Sequence, residues 1–202
     1  MRILVIGATG TIGSAVSELL SREHEVIKAS RNGDIQVDIS NPASILSMYE
    51  NVGKVDAIVS TAGSGAFGPL DALNDDDFSF GLGNKLMGQV NLVRFGRDYL
   101  NDDGFFTLTS GILAEQPNPA SVLITTLNAG IEGFGRAAAL GLPRNQSLAV
   151  VSPPMVRETA IKLGWGQGGV PAADVAELYA LSLSKNSHGT VLGVEHLCSN
   201  VT

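Results

Sequence analysis

The sequence predicts an α/β protein built on a doubly wound parallel sheet of about seven strands, with helices on both faces. Short apolar runs alternate with longer amphipathic segments along all 202 residues, which is the pattern of repeated strand–helix–strand units. A glycine-rich turn follows the first apolar run directly. No repeat, linker or low-complexity tract interrupts the alternation, so we expect residues 1–202 to form a single domain.

The periodicity of the apolar residues places each element. The predicted strands are Arg2–Gly7, Glu25–Ser30, Ile35–Val37, Ala57–Thr61, Phe105–Ser110, Leu148–Ser152 and Thr190–Leu197. The predicted helices are Thr11–Arg22, Pro42–Asn51, Leu82–Leu100, Ala120–Leu142 and Ala172–Lys185. Binding sites in sheets of this kind lie at the carboxyl ends of the strands, near the point where the strand order reverses.

Composition excludes several classes of function. A net charge of -7 and a pI near 4.8 argue against nucleic-acid or anionic-membrane partners, which need a basic surface. Cys198 is the only cysteine and the three histidines are scattered, so we expect neither a disulfide framework nor a metal site. The acidic run after Asn74 is interpreted as a helix cap and first turn. The opening "MRILVIGATG" is too short for a signal peptide or membrane span, so a cytoplasmic protein is expected.

The turn "GATGTIG" carries the strongest functional signal in the chain. Gly7 permits a tight turn, Gly10 lets a pyrophosphate approach the backbone, and Gly13 lets the helix pack against the strand. Phosphates would then lie at the helix N-terminus, where free N–H groups favour anions. This predicts a Rossmann-type NAD(P) site whose first contacts are Gly7, Thr9, Gly10, Thr11, Ile12 and Gly13. The alternative is a tight strand-to-helix turn that binds no ligand.

The second strand favours NADP over NAD. NAD sites usually have a carboxylate at this point to hold the ribose 2′-hydroxyl, whereas this strand ends in Ser30 and Arg31. Arg31 can bind a 2′-phosphate and stack on adenine; the alternative is an ordinary surface arginine. Asp38 and Ile39 are placed beside the adenine, with the Asp38 carboxylate accepting from its amino group. The small residues of "STAG" add Thr61, Ala62 and Gly63 to the predicted cofactor contacts.

Together these segments resemble the short-chain dehydrogenase/reductase family. The resemblance covers nearly the whole chain: the glycine turn, "VDIS", "STAG" in place of Asn-Asn-Ala-Gly, "KLMGQVNLV", "FFTLTSG", "VVSPPMV" and "GTVLGVEHL". The family implies a catalytic tetrad of Asn, Ser, Tyr and Lys, in which the tyrosine exchanges a proton with the carbonyl or alcohol oxygen. The glycine spacing is that of the family's extended and atypical branches, and the short chain suggests a reduced substrate lobe.

Three of the four tetrad positions depart from the family pattern. The serine falls on Ser110, with Thr109 and Gly111 as neighbouring possibilities. The Tyr-x-x-x-Lys segment aligns with "ITTLNAGIEG", which puts Ile124 at the tyrosine and Asn128 at the lysine. The asparagine aligns with Lys85, and Asn84 is one residue away.

The exchange of Asn and Lys suggests a rearranged site. A lysine at the bottom of a cofactor cleft loses hydration, which lowers its pKa, so Lys85 is a candidate proton donor, directly or through the Ser110 hydroxyl. Asn128 would hold the nicotinamide ribose. The alternative is that Lys85 is a surface lysine with its amine in water.

The chain after the sixth strand is expected to complete the site. The "SPPMV" segment places Pro153 and Val156 against the nicotinamide, as the resemblance implies. Residues 157–171, rich in glycine around Trp165, are expected to form a short substrate flap, or else a surface loop with the tryptophan packed on the body. The helices over 82–100 and 120–142 are the family's usual dimer interface, which predicts a homodimer or homotetramer.

We therefore expect an NADP-dependent oxidoreductase acting on a small carbonyl or alcohol substrate. A catalytically silent NADP(H)-binding sensor or regulatory protein on the same scaffold is the main alternative. An epimerase acting on a nucleotide-linked sugar is a weaker one, because such relatives need the missing tyrosine and a larger substrate domain.

Overall fold

Seven parallel strands form one sheet in the order β3-β2-β1-β4-β5-β6-β7. The computed structural model describes residues 1–197. The strands are β1 (Arg2–Ile6), β2 (Glu25–Ser30), β3 (Ile35–Gln36), β4 (Val55–Ser60), β5 (Leu100–Thr109), β6 (Ser147–Val151) and β7 (Val191–Leu192). The strand order reverses between β1 and β4, so the predicted doubly wound sheet is confirmed.

Helices cover both faces of the sheet. They are α1 (Thr11–Leu20), α2 (Pro42–Val52), α3 (Asp75–Gly81), α4 (Met87–Gly96), α5 (Val122–Ala139), α6 (Arg157–Lys162) and α7 (Ala172–Ser182). A single π-helical turn, Leu82–Leu86, joins α3 to α4.

The core has two layers because successive side chains of a buried parallel strand point to opposite faces. In β1, Leu4 and Ile6 pack in the layer that contains residues of α2, α4 and α5. Ile3 and Val5 pack in the other layer, against residues of α1 and α7. Every one of these four side chains is almost fully buried, which is why the first strand consists of an unbroken apolar run.

The predicted helix Leu82–Leu100 is wrong at both ends. Helical structure begins at Asp75, where Asn74 accepts a hydrogen bond from the Asp77 N–H and the Asp77 carboxylate accepts one from the Asn74 N–H. This capping box confirms the interpretation of the acidic run as a cap and first turn. At the other end α4 stops at Gly96, and Leu100 already belongs to β5.

The last described elements also differ from the prediction. Only Val191–Leu192 pair with β6, and the following residues Val194–His196 form a short 3-10 turn instead of extending the strand. The turn is closed by hydrogen bonds between His196 and the backbone of Gly193. The predicted flap begins with a helix, α6, that sequence periodicity missed because it is only six residues long. Cys198 lies outside the described residues.

Two findings on residues 1–197 concern membrane spans and metal sites. None of the helices in this range is long and apolar enough to cross a membrane. The same residues contain no group of three or more His, Cys, Asp or Glu side chains that could hold a metal ion.

Candidate active site

The glycine turn brings β1, α1 and the end of β4 closer together than side chains would allow. Gly7 has a φ of +86°, and a Cβ there would lie 2.9 Å from the Ala62 nitrogen. A Cβ on Gly13 would lie only 2.1 Å from the Gly7 carbonyl oxygen. A larger residue at position 7 would therefore push the turn away from the end of β4, and one at position 13 would push α1 away from the turn.

The start of α1 is suited to an anion. Its N-cap is Gly10, which offers no side-chain acceptor, and its first turn contains no acidic residue. The N–H groups of Thr11, Ile12 and Gly13 belong to the first turn, where a helix supplies no internal partner for them. These donors and the helix dipole favour a phosphate at this point.

A cleft of about 260 Å³ opens beside this turn, at the carboxyl ends of the strands. Ten of the predicted cofactor contacts line it: Gly7, Thr9, Gly10, Ser30, Arg31, Asp38, Ile39, Thr61, Ala62 and Gly63. Sequence reasoning missed a further six: Ile6, Asn32, Val37, Ser64, Phe80 and Asn84. Phe80 comes from α3, of which the sequence predicted only the cap and first turn, whereas Asn84 was expected only as a neighbour of the tetrad.

The end of the cleft where the sequence predicts adenine contains a buried hydroxyl without a hydrogen-bond partner among the described residues. It belongs to Ser30, which lines the cleft beside exposed Arg31. A hydroxyl and a guanidinium at this position suit a phosphate on the ribose. The hydroxyl and backbone N–H of Ser40, which donate to the Asp38 carboxylate, lower the pKa of Asp38. Asp38 therefore remains ionised at the rim.

The structure does not bring Pro153 and Val156 to this cleft. The Ile112 N–H donates to the Pro153 carbonyl oxygen at 3.0 Å. Val156 is buried and pairs with Val170, so that it anchors the base of the flap. In the flap, half-exposed Trp165 packs edge-on against Phe67, with 5.4 Å between the ring centroids.

Lys85 is buried at the bottom of the site by the π-helical turn. The extra residue of such a turn shifts the side chains that follow it, and π turns are common at functional sites. The Lys85 amine lies 3.5 Å from the Thr109 carbonyl oxygen and 3.4 Å from that of Ser110. Its stem passes Gly63, where a Cβ would be 3.0 Å from the Lys85 Cγ. Since Gly63 lines the cleft, the lysine stem lies directly behind the cleft wall.

Burial changes the chemistry of this amine. Only 9% of the Lys85 surface is exposed, and loss of hydration lowers the pKa of the amine from 10.5 to about 8. An amine with that pKa is mostly protonated at neutral pH, yet it releases its proton far more readily than a surface lysine. The alternative, a surface lysine with its amine in water, is therefore wrong.

None of the three predicted catalytic residues, Lys85, Ser110 and Asn128, lines the cleft itself; they lie around the backbone that follows β5. The Asn128 amide nitrogen donates to the Gly111 carbonyl oxygen at 3.2 Å, and its own Oδ1 is buried with no partner among the described residues. The Ser110 hydroxyl, however, is buried away from the cleft and donates to Glu132 Oε1 at 2.9 Å. Sequence reasoning missed Glu132, although an acid four residues after Asn128, on the same buried face of the helix, was a signal that could have identified it.

Ile124 leaves no acid at the position where the family has its tyrosine. Only 7% of its surface is exposed, and it packs in a small apolar cluster with Leu123 and Leu127. The loop after β4 covers it closely, because a Cβ on Gly65 would lie 3.0 Å from the Ile124 Cδ1.

Comparisons with known proteins identify the scaffold. Residues 3–123 match the model of the NAD dependent epimerase/dehydratase family. This match spans more than half of the chain, from β1 to the start of α5, and it ends one residue before Ile124.

Two curated relatives are reductases. The chain is 30% identical over 114 residues to hydroxynaphthalene reductase arp2 of Aspergillus fumigatus, which covers 54% of this chain and 42% of the relative. It is 24% identical over 167 residues to a 3-ketodihydrosphingosine reductase of Bacteroides thetaiotaomicron, which covers 75% of this chain and 62% of the relative. The chain thus spans less than two thirds of the length of either relative.

Solved structures match over nearly the whole chain. The protein lin1944 of Listeria innocua is 44% identical, with a TM-score of 0.92 over 96% of this chain and 99% of that one. A small-chain dehydrogenase in complex with NADPH is 24% identical, with a TM-score of 0.87 over 96% of this chain and 95% of that one. The chain therefore belongs to the NAD dependent epimerase/dehydratase family, within the short-chain dehydrogenases and reductases.

Proposed function

We propose that this member of the family is an NADP-dependent oxidoreductase that interconverts a small carbonyl compound and its alcohol, with Lys85 in place of the usual acid. The single observation that carries the proposal is the position of Lys85: a buried amine behind the cleft wall, with a pKa lowered to about 8. Hydride transfer to a carbonyl carbon leaves a developing alkoxide, which needs a proton donor within hydrogen-bond reach.

The residues of the cleft fit the phosphate and adenosine parts of a dinucleotide. The start of α1 would hold the pyrophosphate, and Ser30 with Arg31 would hold a 2′-phosphate, which supports NADP over NAD. The unpartnered Asn128 Oδ1 would accept from a ribose hydroxyl. When bound, NADPH would supply the hydride.

Lys85 has a defined part in the carbonyl reduction. Its ammonium group would donate one proton to the substrate oxygen, which becomes a hydroxyl, and the neutral amine would then regain the one proton that the reduction consumes from hydronium or buffer acid in the solvent. The Thr109 and Ser110 carbonyls orient the ammonium without neutralising it, since both contacts are long and neither partner is charged. In alcohol oxidation the neutral amine would accept the proton instead.

One set of contacts favours the silent sensor as a second candidate. Ile124 is covered by the loop at Gly65, and the Ser110 hydroxyl is turned towards Glu132. Neither group would then face a carbonyl substrate, whereas the nucleotide cleft would be unaffected. A sensor of this kind would bind NADP(H) and report its redox state without turnover.

Titration with NADPH and NADH, followed by assay of NADPH oxidation on a panel of ketones and aldehydes, separates the two candidates. The oxidoreductase predicts tighter NADPH binding and turnover that falls about 10²–10⁴-fold in Lys85→Ala, the usual contribution of general acid catalysis. Lys54→Ala, at an exposed lysine away from the cleft, is the matched control and should retain activity. NADPH binding with no turnover on any carbonyl would support the sensor, and failure to bind either nucleotide would refute both.

We also propose that the chain assembles as a homodimer or homotetramer through the segments 82–100 and 120–142. Leu82 and Met87 are large apolar side chains exposed there in the single chain. Gly133 on α5 has open space where a Cβ would be, so a second helix can approach that face closely.

A further inference from the structure

The end of β5 extends past the point where its neighbour β4 stops pairing with it. The β4–β5 register ends at Val59 and Thr107, and on the other side β5 remains paired with β6 up to Thr109 and Val151. In a parallel ladder, a residue's N–H and C=O point to the same neighbouring strand. Thr109 therefore presents two backbone groups towards a strand that has already turned away.

A side-chain amide on α4 takes the place of the missing peptide. Gln89 Nε2 donates to the Thr109 carbonyl oxygen at 2.7 Å, and the Thr109 N–H donates to Gln89 Oε1 at 2.8 Å. Gln89 is completely buried, so this two-point contact fixes the orientation of the amide and the position of the Thr109 peptide together. A hydrocarbon side chain of similar length cannot make either contact.

The same carbonyl is one of the two that face the Lys85 amine. Thr109 O accepts from Gln89 at 2.7 Å and lies 3.5 Å from Lys85 Nζ, while the next carbonyl, of Ser110, lies 3.4 Å from Nζ. We propose that Gln89 is a positioning residue that holds the Thr109 and Ser110 carbonyls at these distances and so sets the environment of the Lys85 amine. The inference rests on the proposed function only in taking Lys85 to be the proton donor.

Removing the Gln89 hydrogen bonds would release the carbonyl. The freed Thr109 oxygen would move towards the ammonium, or water would enter the space between them. Either change stabilises the charged form of the amine, so the pKa of Lys85 should rise towards the ordinary lysine value of about 10.4.

Other charges around Lys85 would not produce this change. On α5, Glu132 faces Ser110 and is paired with Arg136. On α4, Arg94 is directed to Asn91. The acidic residues of α3, Asp75 to Asp77, form its first turn, in which Asp75 and Asp76 are exposed. None of these groups contacts the Gln89 amide, and burial is the cause that lowers the pKa of Lys85.

The experiment is a pH titration of the lysine ¹³Cε resonances by NMR in the intact, ligand-free protein. The chain has five lysines, and the Lys85 resonance is identified by its loss in Lys85→Met. Gln89→Met keeps the length of the glutamine side chain but removes its hydrogen bonds. In this variant the midpoint of the Lys85 titration should move to higher pH. Ser182→Ala, which removes a buried hydrogen bond to Thr107 on the same strand, is the matched control and should leave it in place.

A second variant keeps the test decisive if Gln89→Met does not fold. Gln89→Asn keeps an uncharged amide but is one methylene shorter, so it cannot hold both Thr109 groups at these distances, and it should also raise the Lys85 midpoint. An unchanged midpoint in a folded Gln89 variant, or an equal rise in Ser182→Ala, would overturn the inference. Because the titration needs neither substrate nor cofactor, this outcome is independent of whether the chain proves to be a reductase.

Activity gives a further readout if the proposed function holds. The kcat/KM for carbonyl reduction should fall as pH rises through the pKa of Lys85, because the ammonium form is the donor. In a Gln89 variant the falling limb should move to higher pH, and the plateau should drop. A loss of activity with an unshifted pH profile would instead indicate a merely structural role for Gln89.

Discussion

Replacing Lys85 with methionine separates the cost of burying its charge from the use of its proton. Methionine has nearly the same length and fills the same space without a charge. In the folded protein the pKa of Lys85 falls from 10.5 to about 8, which at 1.36 kcal/mol per unit corresponds to about 3 kcal/mol of folding free energy needed to keep the amine charged at pH 7. The hydrogen bonds from the amine to the Thr109 and Ser110 carbonyl oxygens are long, so their removal in the variant offsets only a small part of this gain.

The sign of the effect depends on pH. Below pH 8 the amine is charged in both the folded and unfolded states, and the folded state bears the full cost. Between pH 8 and 10.5 the folded state loses the proton first, so the unfolded state binds more protons and stability rises with pH. Lys85→Met should therefore be more stable than wild type at pH 7, by up to about 3 kcal/mol, and the advantage should shrink as pH approaches 10.

Urea unfolding of both proteins at pH 7 and pH 9.5 measures this directly. The difference between the two proteins matters more than either stability alone, because other groups also titrate in this range. Lys54→Met, at an exposed lysine, is the control and should show no pH-dependent advantage. If Lys85→Met is destabilised equally at both pH values, the amine is not buried at a cost, and the reasoning behind its role as proton donor fails.

Three further predictions concern the cofactor and the assembly. Gly13→Ala should abolish nucleotide binding, measured by calorimetry, because its Cβ would lie 2.1 Å from the Gly7 oxygen. Retained affinity would show that the glycine turn does not hold the phosphates. Replacing both Ser30 and Arg31 with alanine should weaken the binding of NADPH far more than that of NADH, by about 1.5–3 kcal/mol for each charge-assisted hydrogen bond lost. Equal losses of affinity would show that these residues do not contact a 2′-phosphate. Gly133→Asp should leave the single chain folded, since nothing lies within 4 Å of the added Cβ, but it should dissociate the oligomer in sedimentation. A wild-type protein that sediments only as a 21.0 kDa species would rule out the assembly.

The parts of the structure that the sequence predicted are those that depend on local patterns. Unbroken apolar runs and 3.6-residue periodicity identified the sheet and most helices, because burial on one or two faces imposes those patterns directly. The glycines at 7 and 13 were predictable for a related reason: their positions tolerate no side chain. Ten cleft residues followed from that turn, from the end of β2 and from the segments after β2, β3 and β4.

The tertiary structure alone decided which groups face the site. The sequence left open whether Lys85 reached water or the cleft, and a single π-helical turn, with no periodic signature of its own, directs it inward. The sequence identified Ser110 as a candidate, but only the tertiary packing shows that its hydroxyl points to Glu132. By itself the sequence determined the scaffold and the loss of tyrosine at position 124. Which amine, hydroxyl and amide lie near the site depends on contacts between residues distant in the chain, and a one-residue shift in a helix is enough to change them.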